Sequence, residues 1–130
     1  MLDHMTFRVT DIAATRRFYS AALAPLGYTL RVDACHDGVN LLGFGLGEHI
    51  DTWFVDGPSP HGAPATTGCH LAWVAPDRAA VDAFHAAALQ AGGRDNGAPG
   101  LRPLYGPHYY GGFAIDLEGN NVEAVCRAPA

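Results

Sequence analysis

Three side chains in this sequence could together hold a divalent metal ion: His4, His70 and Glu123. Imidazole nitrogens and a carboxylate oxygen suit borderline divalent ions, and a set of three protein donors leaves coordination positions open for water or substrate. Taken singly, a strand histidine is more often a hydrogen-bonded structural residue and a strand glutamate a solvated one. Their spacing sets them apart. His4 opens HMTFRVTDIAATRRFYSAALAPLG and His70 opens HLAWVAPDRAAVDAFHAAALQAGG, and a gapless shift of 66 residues lays Asp11 on Asp77, Phe18 on Phe84, Leu23 on Leu89 and Gly27 on Gly93. Alanine matches come cheaply in segments this rich in alanine, but these four pairs contain none. The chain therefore reads as a duplication in which each copy begins with a histidine.

The elements that must position these residues follow from the repeat. Each copy opens with an alternating apolar stretch, MTFRV or LAWVA, and then meets an aspartate able to accept hydrogen bonds from the first amides of a helix. Asp11 is expected to cap a helix over about residues 12–24 and Asp77 one over about 78–91, each with an apolar face and each running out at a glycine, Gly27 or Gly93. Strand-like YTLRVDA, VNLLGFGL and HIDTWFV complete the first half. A looser RPLY, then YYGGFAID and NVEAVC, complete the second. The expected fold is α+β, a single domain of two β-α-β-β-β modules: module 1 over about 1–57, a Pro/Gly-rich linker over about 57–68, and module 2 over about 69–127. GGRDNGAPGLRP is expected to form a mobile rim.

Strand alternation then assigns faces. Met5, Phe7 and Val9 must meet the helix, which leaves His4, Thr6 and Arg8 on the open side; His70 lies opposite Leu71 and Trp73, and Glu123 opposite Val122 and Ala124. Around HYYGGFAI, Phe113 and Ile115 are read as core-facing, which puts Tyr110, Gly112 and Ala114 on the open side. Tyr110 is thus a candidate to orient a substrate oxygen or donate a proton, with a structural tyrosine as the alternative. Arg8 is a candidate anion partner and Trp53 a candidate apolar wall, each with an ordinary structural reading beside it.

Composition removes other classes of function. The eight Lys and Arg residues are scattered in a chain of net charge -5, so no nucleic-acid partner is expected. No apolar run reaches membrane-spanning length and MLDHM does not resemble a secretory leader, so a cytoplasmic protein is expected. Cys35, Cys69 and Cys126, odd in number and without CxxC spacing, read as buried free thiols.

The paired modules, the HxTF and HxAW openings and the ending DLEGNNVEAV resemble the vicinal oxygen chelate superfamily, which includes glyoxalase I, fosfomycin-resistance enzymes, extradiol dioxygenases and bleomycin-resistance proteins. The superfamily commonly shows DPDGNxxE at this ending; here Leu117 stands in place of the proline. The resemblance implies a cup of curved mixed sheet, the glyoxalase-like fold, with His4, His70 and Glu123 holding iron, manganese, nickel, cobalt or zinc at its floor. It also implies a homodimer, in some members with modules exchanged so that His4 and the pair His70 and Glu123 come from different chains. Glyoxalase I adds an acidic fourth ligand from the last strand of its first half. In HIDTWFV no glutamate is present and Asp51 is the only acid, which tilts the reading away from glyoxalase I itself.

Two functions from different classes remain. The first is a metal-dependent enzyme, of the dioxygenase, lyase or group-transfer kind, acting on a small molecule that chelates through adjacent oxygens. The second is a metal-free binding protein of the bleomycin-resistance type, which sequesters an aromatic or cationic compound against residues such as Trp53 and Tyr110.

Overall fold

Asp11 and Asp77 set the starts of both helices in the computed structural model, which describes residues 1–130. Each is extended, and each carboxylate accepts an amide hydrogen bond three residues on, from Ala14 at 2.9 Å and Ala80 at 2.7 Å. Caps of this kind contribute about 1 kcal/mol apiece. Helix α1 spans Ile12–Leu23 and α2 spans Arg78–Gln90. Pro25 cannot continue α1, so the chain tightens into a 3-10 turn over Ala24–Leu26 and stops at left-handed Gly27, φ 85°. In the second copy the left-handed residue is Gly92, φ 105°, not the expected Gly93. Gly93 serves close packing instead: a Cβ there would lie 2.8 Å from the Ala88 carbonyl and 3.0 Å from the Phe18 ring.

Eight strands complete the duplicated order: β1 Met5–Arg8, β2 Thr29–His36, β3 Val39–Leu46, β4 His49–Val55, β5 His70–Val74, β6 Arg94–Leu101, β7 Tyr110–Ile115 and β8 Asn121–Cys126. They form two four-stranded mixed sheets of matching topology, β1-β4-β3-β2 and β5-β8-β7-β6, in which the first strand of each module runs parallel to its last. The sheets do not pair with one another, so β1 and β5 both end a sheet. Along β1's free side the linker is stitched on by Thr66, whose amide donates to the Arg8 carbonyl while its hydroxyl accepts from the Arg8 amide.

Helix α1 covers β2, β3 and β4, helix α2 covers β6, β7 and β8, and the helices pack on each other. One apolar core joins both modules: Phe18, Leu23, Phe44 and Phe54 from the first are continuous with Trp73, Val81, Phe84 and Val122 from the second. Each large side chain buried this way contributes about 1.5–3 kcal/mol. A polar joint reinforces the contact. The Asp116 carboxylate accepts from the Tyr19 hydroxyl and from the Glu118 and Asn120 amides, and Glu118 accepts from both the amide and the hydroxyl of Thr10. The DLEGNN segment is thus a turn that ties module 2 to module 1.

Further sequence expectations are corrected. The GGRDNGAPGLRP segment is not a loose rim but mostly strand β6, paired to β7 with register shifts around Gly97; RPLY contains a 3-10 turn over Pro103–Tyr105. On β7 the faces are the reverse of those expected. Gly112 and Ala114 lie under α2, where a Cβ on Gly112 would already come within 3.3 Å of Val81, so small residues are what permit the helix to approach. Among the cysteines only Cys126 is buried, and Cys35 is exposed.

Candidate functional site

The parallel pairing of β5 and β8 sets His70 beside Asn121 and Ala72 beside Glu123, on the sheet face that α2 does not cover. Antiparallel β7 brings Phe113 opposite Glu123. Glu123 is only 1% exposed, a costly place for a carboxylate unless its oxygens are partnered. Both are. Oε2 lies 3.0 Å from His70 Nε2, and Oε1 accepts from the Tyr109 hydroxyl. Burial first, and then the Glu123 carboxylate, push the Tyr109 phenol up to about 12, so it remains a donor at neutral pH. A Cβ at Gly111 would lie 2.8 Å from Glu123 Oε1 and 3.1 Å from the Tyr109 ring, so glycine is what leaves room for this pair.

His70 is half exposed, its ring 6.2 Å from that of Phe113, and its Nδ1 meets the Asn121 side-chain amide. With Nε2–H donating to Glu123 and Nδ1 accepting from the Asn121 amide, both ring nitrogens are partnered. Asn121 Oδ1 is left buried without a partner. A half-turn of that amide would aim Oδ1 at Nδ1, holding the proton there and freeing the Nε2 lone pair for an ion.

His4 occupies the matching place in module 1, just ahead of β1. It is 55% exposed, pairs through Nδ1 with Asp3 at 2.6 Å, and borders a cleft of about 250 Å³ with Thr6, Leu41, Trp53 and Val55. Trp53 forms the wall of this half: a Cβ on Gly43 would lie 2.8 Å from its ring. His4 does not join His70 and Glu123 within one chain, where no group of three His, Cys, Asp or Glu side chains could hold a metal. The expected ligand set is therefore divided, with one donor on module 1 and two on module 2.

The remaining candidates fare differently. Asp51 is the extra residue where pairing shifts from Phe44↔Thr52 to Gly45↔Ile50, and its carboxylate accepts from the Tyr28 and Thr52 hydroxyls at 2.7 Å each. The bulge breaks the alternation that would have aimed it beside His4. Arg8 donates to the Gly57 carbonyl and is tied to the linker. Tyr110 lies on the α2 side, its hydroxyl 2.8 Å from Asp82, and that bond is the main reason its phenol is raised. The expected orientation of Tyr110 is thus reversed, and Tyr109 is the tyrosine beside Glu123, because the bulky residues of β7 do not all face the core.

A family model described as the Glyoxalase/Bleomycin resistance protein/Dioxygenase superfamily matches residues 1–124. The chain belongs to this superfamily. Among solved structures, a glyoxalase/bleomycin resistance protein from Albidiferax ferrireducens T118 is similar with 26% identity and a TM-score of 0.73, over 97% of this chain and 98% of that one. A glyoxalase/bleomycin resistance protein/dioxygenase family enzyme from Burkholderia phytofirmans PsJN shares 18% identity over 98% of both chains, TM-score 0.71. Glyoxalase I from Zea mays shares 18% identity with a TM-score of 0.70; 99% of this chain covers 45% of that one. At such identities the last two carry the fold alone. No curated protein matches the chain's sequence significantly. No helix of this superfamily member is long and apolar enough to cross a membrane.

Proposed function

We propose that this superfamily member is a metal-dependent enzyme that works as a homodimer on a small molecule chelating through adjacent oxygens. The observation that carries the reading is the pairing of His70 Nε2 with the buried Glu123 carboxylate at 3.0 Å, on the sheet face turned away from α2. Glu123 and His70 are two donors for a divalent ion; the third is His4 of a second copy, brought in when module 1 of one chain closes over module 2 of the other. The chemistry of the residues fits such an ion, because Asn121 has an unpartnered oxygen able to set the tautomer that binding requires. Closure of this kind would also cover the cleft of about 820 Å³ beside β5, with Leu46 and Val74 at its mouth, 56% and 77% exposed.

A divalent ion held by two imidazoles and one carboxylate keeps net positive charge and would polarise substrate oxygens that become anionic during reaction. Around it the chain's own groups have separate tasks. Tyr109 holds Glu123 in place through Oε1, Trp53 and Phe113 exclude water from either side, and Asn121 fixes the His70 ring. Dioxygenase, lyase and group-transfer chemistry are all compatible with this arrangement.

One observation favours a second reading, a metal-free binding protein of the bleomycin-resistance type: without an ion, both Glu123 oxygens already have donors. Metal analysis of protein purified without chelator separates the two. The enzyme reading expects about one ion per chain, lost in His4→Ala and in His70→Ala alike. A metal-free wild type that cannot be loaded with iron, manganese, nickel, cobalt or zinc would support the binding protein.

A further inference from the structure

Beyond His70 and Glu123 the uncovered face of module 2 holds a cleft of about 300 Å³, lined by Asn96, Gly97, Arg102, Tyr105, Phe113 and Asn121. Arg102 dominates it. Its guanidinium lies over the Phe113 ring, 5.4 Å from the centroid, and bonds the Ala98 carbonyl through Nη2 at 2.7 Å and the Leu101 carbonyl through Nη1 at 3.3 Å. None of the ion pairs in the chain includes it, although the protein as a whole is acidic. A cation held against an aromatic face by carbonyls, with no carboxylate to neutralise it, has charge and N–H groups left to offer.

The backbone around Arg102 is shaped to hold it there. A Cβ on Gly100 would lie 3.0 Å from Arg102 Nη1, and one on Gly97 would lie 3.1 Å from the Phe113 ring and 3.5 Å from Nη2. Gly97 has φ 143°, which disfavours a side chain on a second count. The NGAPG run is therefore a seat for the guanidinium. The cleft also adjoins the metal half-site: Phe113 is the ring next to His70, and Asn121 lines the cleft while its amide meets His70 Nδ1.

We propose that Arg102 is the anchor of an oxyanion subsite that takes a carboxylate or phosphonate group of the substrate, one aromatic ring away from His70 and Glu123. The fork of Arg102 suits the bidentate geometry of such groups, and Asn96 and Tyr105 supply further polar contacts. A cleft of about 300 Å³, at the lower end of small-molecule sites, has room for an acidic head group. This deepens the reading given above, since the rest of the substrate would then reach the ion with its adjacent oxygens.

The test titrates the full-length protein with benzoate, phenylphosphonate and neutral benzyl alcohol, reading affinity by calorimetry and the Arg102 Nε–H resonance by NMR. At least one acid is expected to bind and shift that resonance, with benzyl alcohol inert, and Arg102→Gln is expected to weaken the acid about tenfold or more. Arg102→Lys, which keeps the charge but not the fork, should fall between. Arg16→Gln, whose guanidinium pairs with Asp33 instead, should bind as wild type does. Failure of both acids to bind, equal binding of benzyl alcohol, or undiminished binding by a folded Arg102→Gln variant would overturn the subsite. Whichever acid binds better identifies the head group. The same titration on chelator-treated protein keeps this proposal apart from the metal reading. Arg102-dependent binding by protein that never takes up an ion would uphold the subsite and sink the metal enzyme, and a normal ion content with Arg102-independent binding would do the reverse.

Discussion

Removing one oxygen atom, in Tyr19→Phe, tests whether the DLEGNN turn ties the modules together. The Tyr19 ring is locked by aromatic neighbours, with Phe54 at 4.3 Å, Phe18 at 4.9 Å, Trp73 at 6.2 Å and Phe44 at 6.4 Å between centroids, and phenylalanine keeps all of these contacts. Only the hydroxyl bond to Asp116 is lost, and Asp116 retains the Glu118 and Asn120 amides as donors. A buried hydrogen bond to a charged group contributes about 1.5–3 kcal/mol. For a chain of 130 residues, with an unfolding entropy of about 2.1 cal/mol/K per residue, that loss lowers Tm by roughly 5–11 °C. Urea unfolding gives the free energy and calorimetry the Tm. Linkage adds a sign: burial, chiefly, and the neighbouring Asp116 hold the Tyr19 phenol well above its ordinary range. Its contribution is therefore fully present below the unfolded value near 10 and is lost as pH rises beyond it, so the stability gap between wild type and Tyr19→Phe should narrow above about pH 10. A loss below about 0.5 kcal/mol at neutral pH, or a gap that widens in alkali, would refute the reasoning.

Asp51→Ala should leave any bound ion in place, because the carboxylate is committed to the Tyr28 and Thr52 hydroxyls; loss of the ion on metal analysis would make Asp51 a ligand after all. Gly111→Ala should cost about 1–3 kcal/mol in urea unfolding and weaken metal uptake, since its methyl would meet Glu123 Oε1 at 2.8 Å; an unchanged metal titration would show that the carboxylate is not pinned there. A ligand seated in the His4 cleft should change the fluorescence of Trp53, which walls that cleft, and not that of Trp73, which is buried in the core and does not line it. The signal should then survive in Trp73→Phe and vanish in Trp53→Phe, and the opposite pattern would place the ligand elsewhere.

The parts of the fold that were legible in the sequence are those where a single residue has a local job. Asp11 and Asp77 cap what their position says they cap, and alternation in MTFRV and LAWVA separates the core face from the open one. The same alternation failed where pairing is irregular. The bulge at Asp51 turns its side chain off the face that parity predicts, and strand β6 is hidden because glycine and proline carry no strand preference and only pairing with β7 makes NGAPG extended. On β7 the expectation that large side chains face the core gave way to helix packing, which needs Gly112 and Ala114 beneath α2 and so sends Phe113 to the site. His70 and Glu123 could be paired from sequence because each follows from its own strand. That His4 would stand apart from them depends on how whole modules pack, which no local pattern encodes.

The central claim is that a complete site needs two chains, and complementation between two inactive variants tests it most directly. His4→Ala and His70→Ala homodimers are purified, unfolded and refolded together, and bound metal is measured against each alone. A mixed dimer keeps one site intact, formed by the His4 of one chain with the His70 and Glu123 of the other, so an equal mixture should recover about a quarter of wild-type metal while each parent holds none. No recovery in a mixture shown to contain heterodimers would contradict the shared site, and with it the proposed function.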